Sequence, residues 1–139
     1  MKLSIHTDGG SRGNPGISGG GVVVENQLAE VIFEKAIYFG EKTNNEAEYL
    51  ALINALTWLK DFSDNNKLEQ VDFYLDSKLV VEQMQKNWKI KEPRLRELAQ
   101  QGWEIINSLP YSVFFHHVLR HKNTQADLLA NQAMDSQGL

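Results

Sequence analysis

Residues 6–16 are HTDGGSRGNPG, and the reading of this stretch decides the rest of the chain. Four glycines and one proline surround a lone carboxylate, Asp8. Just before it, KLSIHT (2–7) sets Leu3, Ile5 and Thr7 against Ser4, His6 and Asp8, the period-two pattern of a strand. The Gly and Pro residues that follow predict a turn region. An acid at the mouth of so flexible a loop has three explanations: an ordinary hairpin turn, a phosphate cradle, or one corner of a metal site.

Working outward, GGGVVVEN (19–26) and LAEVIFEKAIYFG (28–40) are β-rich, and ENQ (25–27) suits a hairpin connection. The opening third therefore predicts a three-stranded antiparallel meander. The period then changes. Tyr49, Leu52, Ile53, Leu56 and Leu59 recur at helical spacing from Thr43 to about Asp61. TNNE (43–46) supplies a capping box with Thr43 as N-cap. QVDFYLD (70–76) predicts a strand, SKLVVEQMQ (77–85) a short helix, and EPRLRELAQQGWEIINSL (92–109) a helix opened near Pro93. YSVFFHHVL (111–119) closes the strands, and NTQADLLANQAM (123–134) gives a last helix that starts at Asn123 or Thr124. The order is βββαβααβα. It predicts an α/β fold with a mixed five-stranded sheet, three antiparallel strands and then two parallel ones, in one domain over 1–139.

Composition narrows the class. No stretch approaches the roughly 20 apolar residues of a membrane span, so no membrane partner is expected. The N-terminus carries one Lys and too short an apolar run for a signal peptide. The chain has no cysteine, which excludes disulfides and thiolate metal sites and fits a reducing cytoplasm. The net charge of −4 argues against a polyanionic partner, but it is unevenly spread. Residues 78–122 hold eight Lys/Arg against four Glu, a basic patch on an acidic body.

If the first and fourth strands lie side by side and parallel, Asp8 and Asp76 sit at equivalent carboxyl ends, about 4.8 Å apart. Acids that close repel unless a proton or a cation lies between them. Glu48 falls in the first turns of the long helix and Asp127 in the first turn of the last one. Taken singly, Asp76 could simply cap a helix, Asp127 favour its positive end, and Glu48 face solvent. Together, four acids at strand ends and helix starts suit hard divalent ions, Mg²⁺ or Mn²⁺, better than zinc.

Four segments in chain order, TDGGSRGNPG (7–16), TNNEAE (43–48), LDSKLVVEQ (75–83) and NTQADLLAN (123–131), resemble the type 1 ribonuclease H enzymes. The resemblance covers essentially the whole chain. It implies a ribonuclease H-like fold with helices on both faces of the sheet, and endonucleolytic hydrolysis of the RNA strand of RNA/DNA hybrids. Asp8, Glu48, Asp76 and Asp127 would hold two Mg²⁺ ions, with Mn²⁺ able to substitute, and the products would carry 5′-phosphate and 3′-hydroxyl ends. His121 would assist proton transfer or product release. Gly10, Ser11, Gly13 and Asn44 would face the RNA strand, and Asn14, Thr43 and Asn45 the DNA phosphates. A cytoplasmic monomer is expected.

The chain departs from one version of that family, which inserts a basic helix and loop as a hybrid-binding handle. Here QKNWKIKEPRLREL (85–98) leaves no room for it, so the chain resembles the short subclass. Lys86, Lys89, Lys91, Arg94 and Arg96 cluster there with Trp88. They either contact phosphates in place of the handle or form a solvated turn with Trp88 packed on the core. No separate N-terminal hybrid-binding module is expected, since the first strand starts at Lys2. Other metal nucleases on the same fold, a non-catalytic hybrid-binding module and a phosphate-binding ATPase are the competing readings.

Overall fold

The structure is a computed structural model and describes residues 1–137. The elements follow the expected order: β1 Lys2–Gly13, β2 Gly16–Glu25, β3 Val31–Lys42, α1 Asn44–Ser63, β4 Gln70–Leu75, α2 Lys78–Met84, α3 Pro93–Asn107, β5 Ser112–His117 and α4 Thr124–Gln137. A 3-10 turn, Arg120–Lys122, precedes α4. The sheet runs β3-β2-β1-β4-β5. β1 and β2, and β2 and β3, pair antiparallel, whereas β1 and β4, and β4 and β5, pair parallel.

The first stretch differs from its expected form. The glycines do not open a turn after Thr7; β1 continues through them to Gly13, with Gly9 opposite Gly20 and Gly10 opposite Gly19 on β2. Only Asn14 and a cis Pro15 connect the two strands. Gly9 and, on β2, Gly21 lie where helices press on the sheet. A Cβ on Gly9 would lie 2.2 Å from the Ala47 carbonyl oxygen of α1, and one on Gly21 would lie 2.1 Å from the Ala126 oxygen of α4. In this sequence glycine marks close approach of backbones as well as turning.

α1 starts where the capping box predicts. Thr43 Oγ1 accepts from the Glu46 amide at 3.2 Å, and Glu46 Oε1 accepts from the Thr43 amide at 3.1 Å. The helix buries Tyr49, Leu52, Leu56 and Leu59 against Leu3, Ile5, Val22, Val24, Val71 and Phe73 on one face of the sheet. Each fully buried side chain of this size contributes about 1.5–3 kcal/mol, so this face dominates the fold's stability. Leu95, Leu98 and Ala99 of α3 close the same core. Glu92, extended at φ −77 and ψ 123, lets Pro93 begin α3 at its first position.

α4 covers the opposite face, setting Ala126 and Leu129 over Val23. Ala130, Ala133 and Met134 are buried on the same face of the helix, and polar ties add to them. The Arg12–Asp135 pair at 2.6 Å has side chains 41% and 67% exposed and contributes little. The buried bond from Asn123 Nδ2 to the Thr7 carbonyl oxygen, 2.8 Å, is the stronger tether. Among the described residues no helix is long and apolar enough to cross a membrane.

Candidate active site

The parallel pairing of β1 with β4 ends at Thr7 opposite Leu75. Asp8 and Asp76 are each the next residue, so both leave the paired region at the same level. Glu48 reaches them from α1 because Gly9 lets the Ala47–Glu48 backbone touch the strand. One carboxylate oxygen from each of Asp8, Glu48 and Asp76 lies within 4.8 Å of the others. Asp8 and Glu48 are only 6% and 8% exposed, and Asp76 is partly buried. Asp127, in the first turn of α4, borders the same cleft, where Arg120 Nη2 lies 3.4 Å from its Oδ1.

Crowding shows in the protonation of the group. Burial, then the charge of Asp76, pushes the Asp8 carboxyl up to about 8. Burial, then Asp8 and Asp76, holds Glu48 well above the usual carboxylate range. Asp76 is also raised by burial, although its hydrogen bond with Asp8 and the nearby Arg120 work the other way. Glu48 Oε2 is buried with no hydrogen-bond partner. An orphaned carboxylate oxygen among oxygen donors only is a fit for a hard divalent cation and a poor one for zinc.

The cleft, about 500 Å³, continues past the acids. Gly10, Ser11, Asn44 and Asn45 line it. Asn44 Oδ1 accepts from the Ser11 amide at 2.8 Å, and Asn14 Oδ1 accepts from the Asn44 amide at 3.0 Å, so the β1–β2 connection and the start of α1 are tied together. Gly13, Asn14 and Thr43 do not line the cleft. Gly13 turns the chain at φ 114, Asn14 braces Asn44, and the Thr43 hydroxyl is engaged in the cap.

His121 sits exposed on the 3-10 turn and does not line the cleft; its neighbour Arg120 does. Sequence reasoning passed over Arg120, although a cation seven residues before an acid on a short connection was a usable signal. It also treated Asn123 only as a cap, whereas the Asn123 side chain is turned into the protein. His6 and His116 flank Tyr74 in a stack with 4.9 Å centroid spacings, and His116 Nε2 lies 2.7 Å from Asp72 Oδ1. Both are packing residues on the sheet.

Trp88 is exposed and not packed on the core. It lines a groove with Lys86, Lys89, Ile90, Arg96 and Trp103. Lys86 Nζ stands 4.7 Å from the Trp103 ring centroid, and Lys78 Nζ 5.9 Å from that of Trp88. Arg96 is committed internally, donating to the Ile90 and Lys91 carbonyls at 3.3 Å.

Clustered acids at the ends of adjacent parallel strands, with a helix on either face of a β3-β2-β1-β4-β5 sheet, define the ribonuclease H-like class. A family profile described as reverse transcriptase-like matches residues 6–133. The structure of LC11-RNase H1 in complex with RNA/DNA hybrid superposes with a TM-score of 0.94 at 42% identity, covering 99% of each chain. A ribonuclease H of Ruthia magnifica is 34% identical over 96% of both chains. A bifunctional protein of Mycobacterium tuberculosis is 42% identical over 98% of this chain, which spans only 36% of that relative's length. The chain belongs to the type 1 ribonuclease H family.

Proposed function

We propose that the protein is an endoribonuclease that hydrolyses the RNA strand of RNA/DNA hybrids, leaving 5′-phosphate and 3′-hydroxyl ends. One observation carries this reading: three carboxylates within 4.8 Å of one another open onto a cleft walled by amide-bearing residues of β1 and α1. Two Mg²⁺ ions, or Mn²⁺, held by Asp8, Glu48, Asp76 and Asp127, would activate the attacking water and stabilise charge on the phosphoryl oxygens.

The chain's own residues do the rest. Burial and neighbouring acids raise Asp8 and Glu48, so cations held there would displace protons and the charge of the site would be coupled to its loading. Arg120, beside Asp127, offsets negative charge at the open side of the cleft. His121, exposed on the same turn, would assist proton transfer or product release.

Discrimination between RNA and DNA requires reaching 2′-hydroxyls in the wide minor groove of a hybrid. Gly10 and Ser11 with Gly13, and the Asn44 amide, are assigned to the RNA strand. Asn14, Thr43 and Asn45, around the start of α1, are assigned to phosphates of the DNA strand, where a helix N-terminus favours an anion. Lys86, Lys89 and Lys91 extend the contact beyond the cleft in place of a longer handle.

The test is cleavage of an end-labelled RNA strand paired with DNA, paired with RNA, and single, each with Mg²⁺, Mn²⁺ or EDTA. Metal-dependent cutting confined to the RNA/DNA hybrid is the expected result. Cutting of all three contexts alike would replace hybrid specificity with a general nuclease. No cutting by folded protein would leave a binding module.

A further inference from the structure

Asn123 stands outside the four acids, yet it touches the support of both Asp8 and Asp127. It is 1% exposed. Its Nδ2 donates to the Thr7 carbonyl oxygen at 2.8 Å, on the residue just before Asp8. Its side chain is also the smallest of the influences that hold the Asp76 carboxyl down against the larger effect of burial. Its backbone oxygen accepts from the Asp127 amide at 3.1 Å, and its backbone N–H donates to the Arg120 carbonyl at 2.9 Å. A single buried side chain and its own peptide groups thus connect the end of β1, the 3-10 turn and the first turn of α4.

The orientation of the amide is determined by these partners. Turning it over would set Oδ1 against the Thr7 carbonyl oxygen, two acceptors face to face. In the orientation found, Oδ1 is buried without a partner. A buried, unpaired acceptor is costly, and a leucine of similar volume would remove that cost only by taking the donor away from the Thr7 carbonyl. Stability alone therefore gives the asparagine no clear advantage. What it supplies is geometry: it ties the two elements carrying Asp8 and Asp127 to one another, next to the end of β4 that precedes Asp76.

We infer that Asn123 is a positioning residue that sets the spacing of Asp8, Asp76 and Asp127 for cation loading and turnover, acting through those acids and not on the substrate. This rests on reading the acids as the nuclease centre. Residues that orient metal-binding groups typically change affinity or activity by about 10–100-fold when removed.

The experiment compares wild type with Asn123→Leu and Asn123→Ser. Steady-state cleavage of the hybrid is measured beside calorimetric titration of the substrate-free protein with Mn²⁺, both corrected for the folded fraction. For Asn123→Leu, kcat should fall by roughly 10–100-fold with KM little changed, and Mn²⁺ affinity should weaken at least several-fold. Asn123→Ser, which keeps a short donor, should recover part of both losses. A lower melting temperature with unchanged kcat and Mn²⁺ affinity would make Asn123 a purely structural residue and overturn the inference. A raised KM with unchanged kcat would overturn it as well, moving Asn123 to substrate binding. If Asn123→Leu does not fold, the serine variant decides: wild-type constants in it would refute the role. Absence of cleavage by the wild type would sink the nuclease reading instead, and the Mn²⁺ titrations would still test whether Asn123 organises the acids.

Discussion

Gly9 of β1 and Ala47 of α1 are in backbone contact, so that a Cβ on Gly9 would lie 2.2 Å from the Ala47 carbonyl oxygen. This contact sets how deeply Glu48, the next residue of α1, enters the acid cluster. Gly9→Ala must push the helix outward, because the obstructing atom is backbone and cannot change rotamer. The expected cost is about 1–3 kcal/mol in urea unfolding, with a large loss of cleavage as Glu48 withdraws. Gly10→Ala is the contrast. Its nearest neighbour would be Met134 Cε at 4.0 Å, so its unfolding free energy should stay near that of wild type. Equal destabilisation by the two variants would show that the close approach is not what the glycine serves.

Asp76 is the acid whose removal separates chemistry from folding most cleanly. It is partly buried at the end of β4, and its carboxyl is raised by burial. Asp76→Asn keeps the shape and removes a charge from a crowded group. Hybrid cleavage should disappear while the melting temperature of the cation-free protein holds or rises. Retained cleavage would remove Asp76 from the site.

The acids also predict a pH dependence of stability for the protein in EDTA. An unfolded Asp releases its proton near about pH 4, whereas folded Asp8 keeps its proton up to about 8. Between those values the folded state binds more protons than the unfolded one, so stability falls as pH rises and levels off beyond the upper value. Each such proton contributes a slope of about 1.4 kcal/mol per pH unit. Glu48, shifted in the same direction, adds to it. Asp8→Asn should flatten the slope across this window in urea titrations. An unaltered slope would place its origin elsewhere.

Much of this was legible in the sequence, for identifiable reasons. Leu3 and Ile5 alternate because one face of β1 meets α1; Thr43 and Glu46 announce a cap; and Pro93 tolerates only a helix start. The equivalent level of Asp8 and Asp76 followed from parallel pairing alone. The extension of β1 through Gly9 and Gly10 was hidden, because glycine has the same local signature whether it turns the chain or admits a helix. The role of Asn123 was hidden too, since a helix-start asparagine ordinarily caps its own helix. Here its side chain crosses to Thr7, a partner 116 residues away in sequence.

Arg120 and His121 are neighbours of which the family resemblance implied a role only for His121. Arg120 lines the cleft with its Nη2 3.4 Å from Asp127, whereas His121 is exposed and outside the lining. Arg120→Ala should therefore lower kcat by roughly tenfold or more, as loss of a charge at a polar site does. His121→Ala should cost less. A larger loss from His121→Ala would mean that the turn rearranges when the hybrid binds.

The short basic segment makes the last prediction. Trp88 is 44% exposed beside Lys86 and Lys89, and Arg96 is occupied with the Ile90 and Lys91 carbonyls. Lys89 and Lys91 are both exposed and, beside Lys86, offer charges to phosphates. Their sequence-independent contacts should act on binding rather than on chemistry. Replacing both by Gln should raise KM for the hybrid well beyond any change in kcat. The dependence of log affinity on log salt should become shallower by roughly 0.9 for each phosphate that a lysine no longer neutralises. A salt slope and KM equal to wild type would return these lysines to the solvated surface, and hybrid binding would then rest on the cleft and the start of α1.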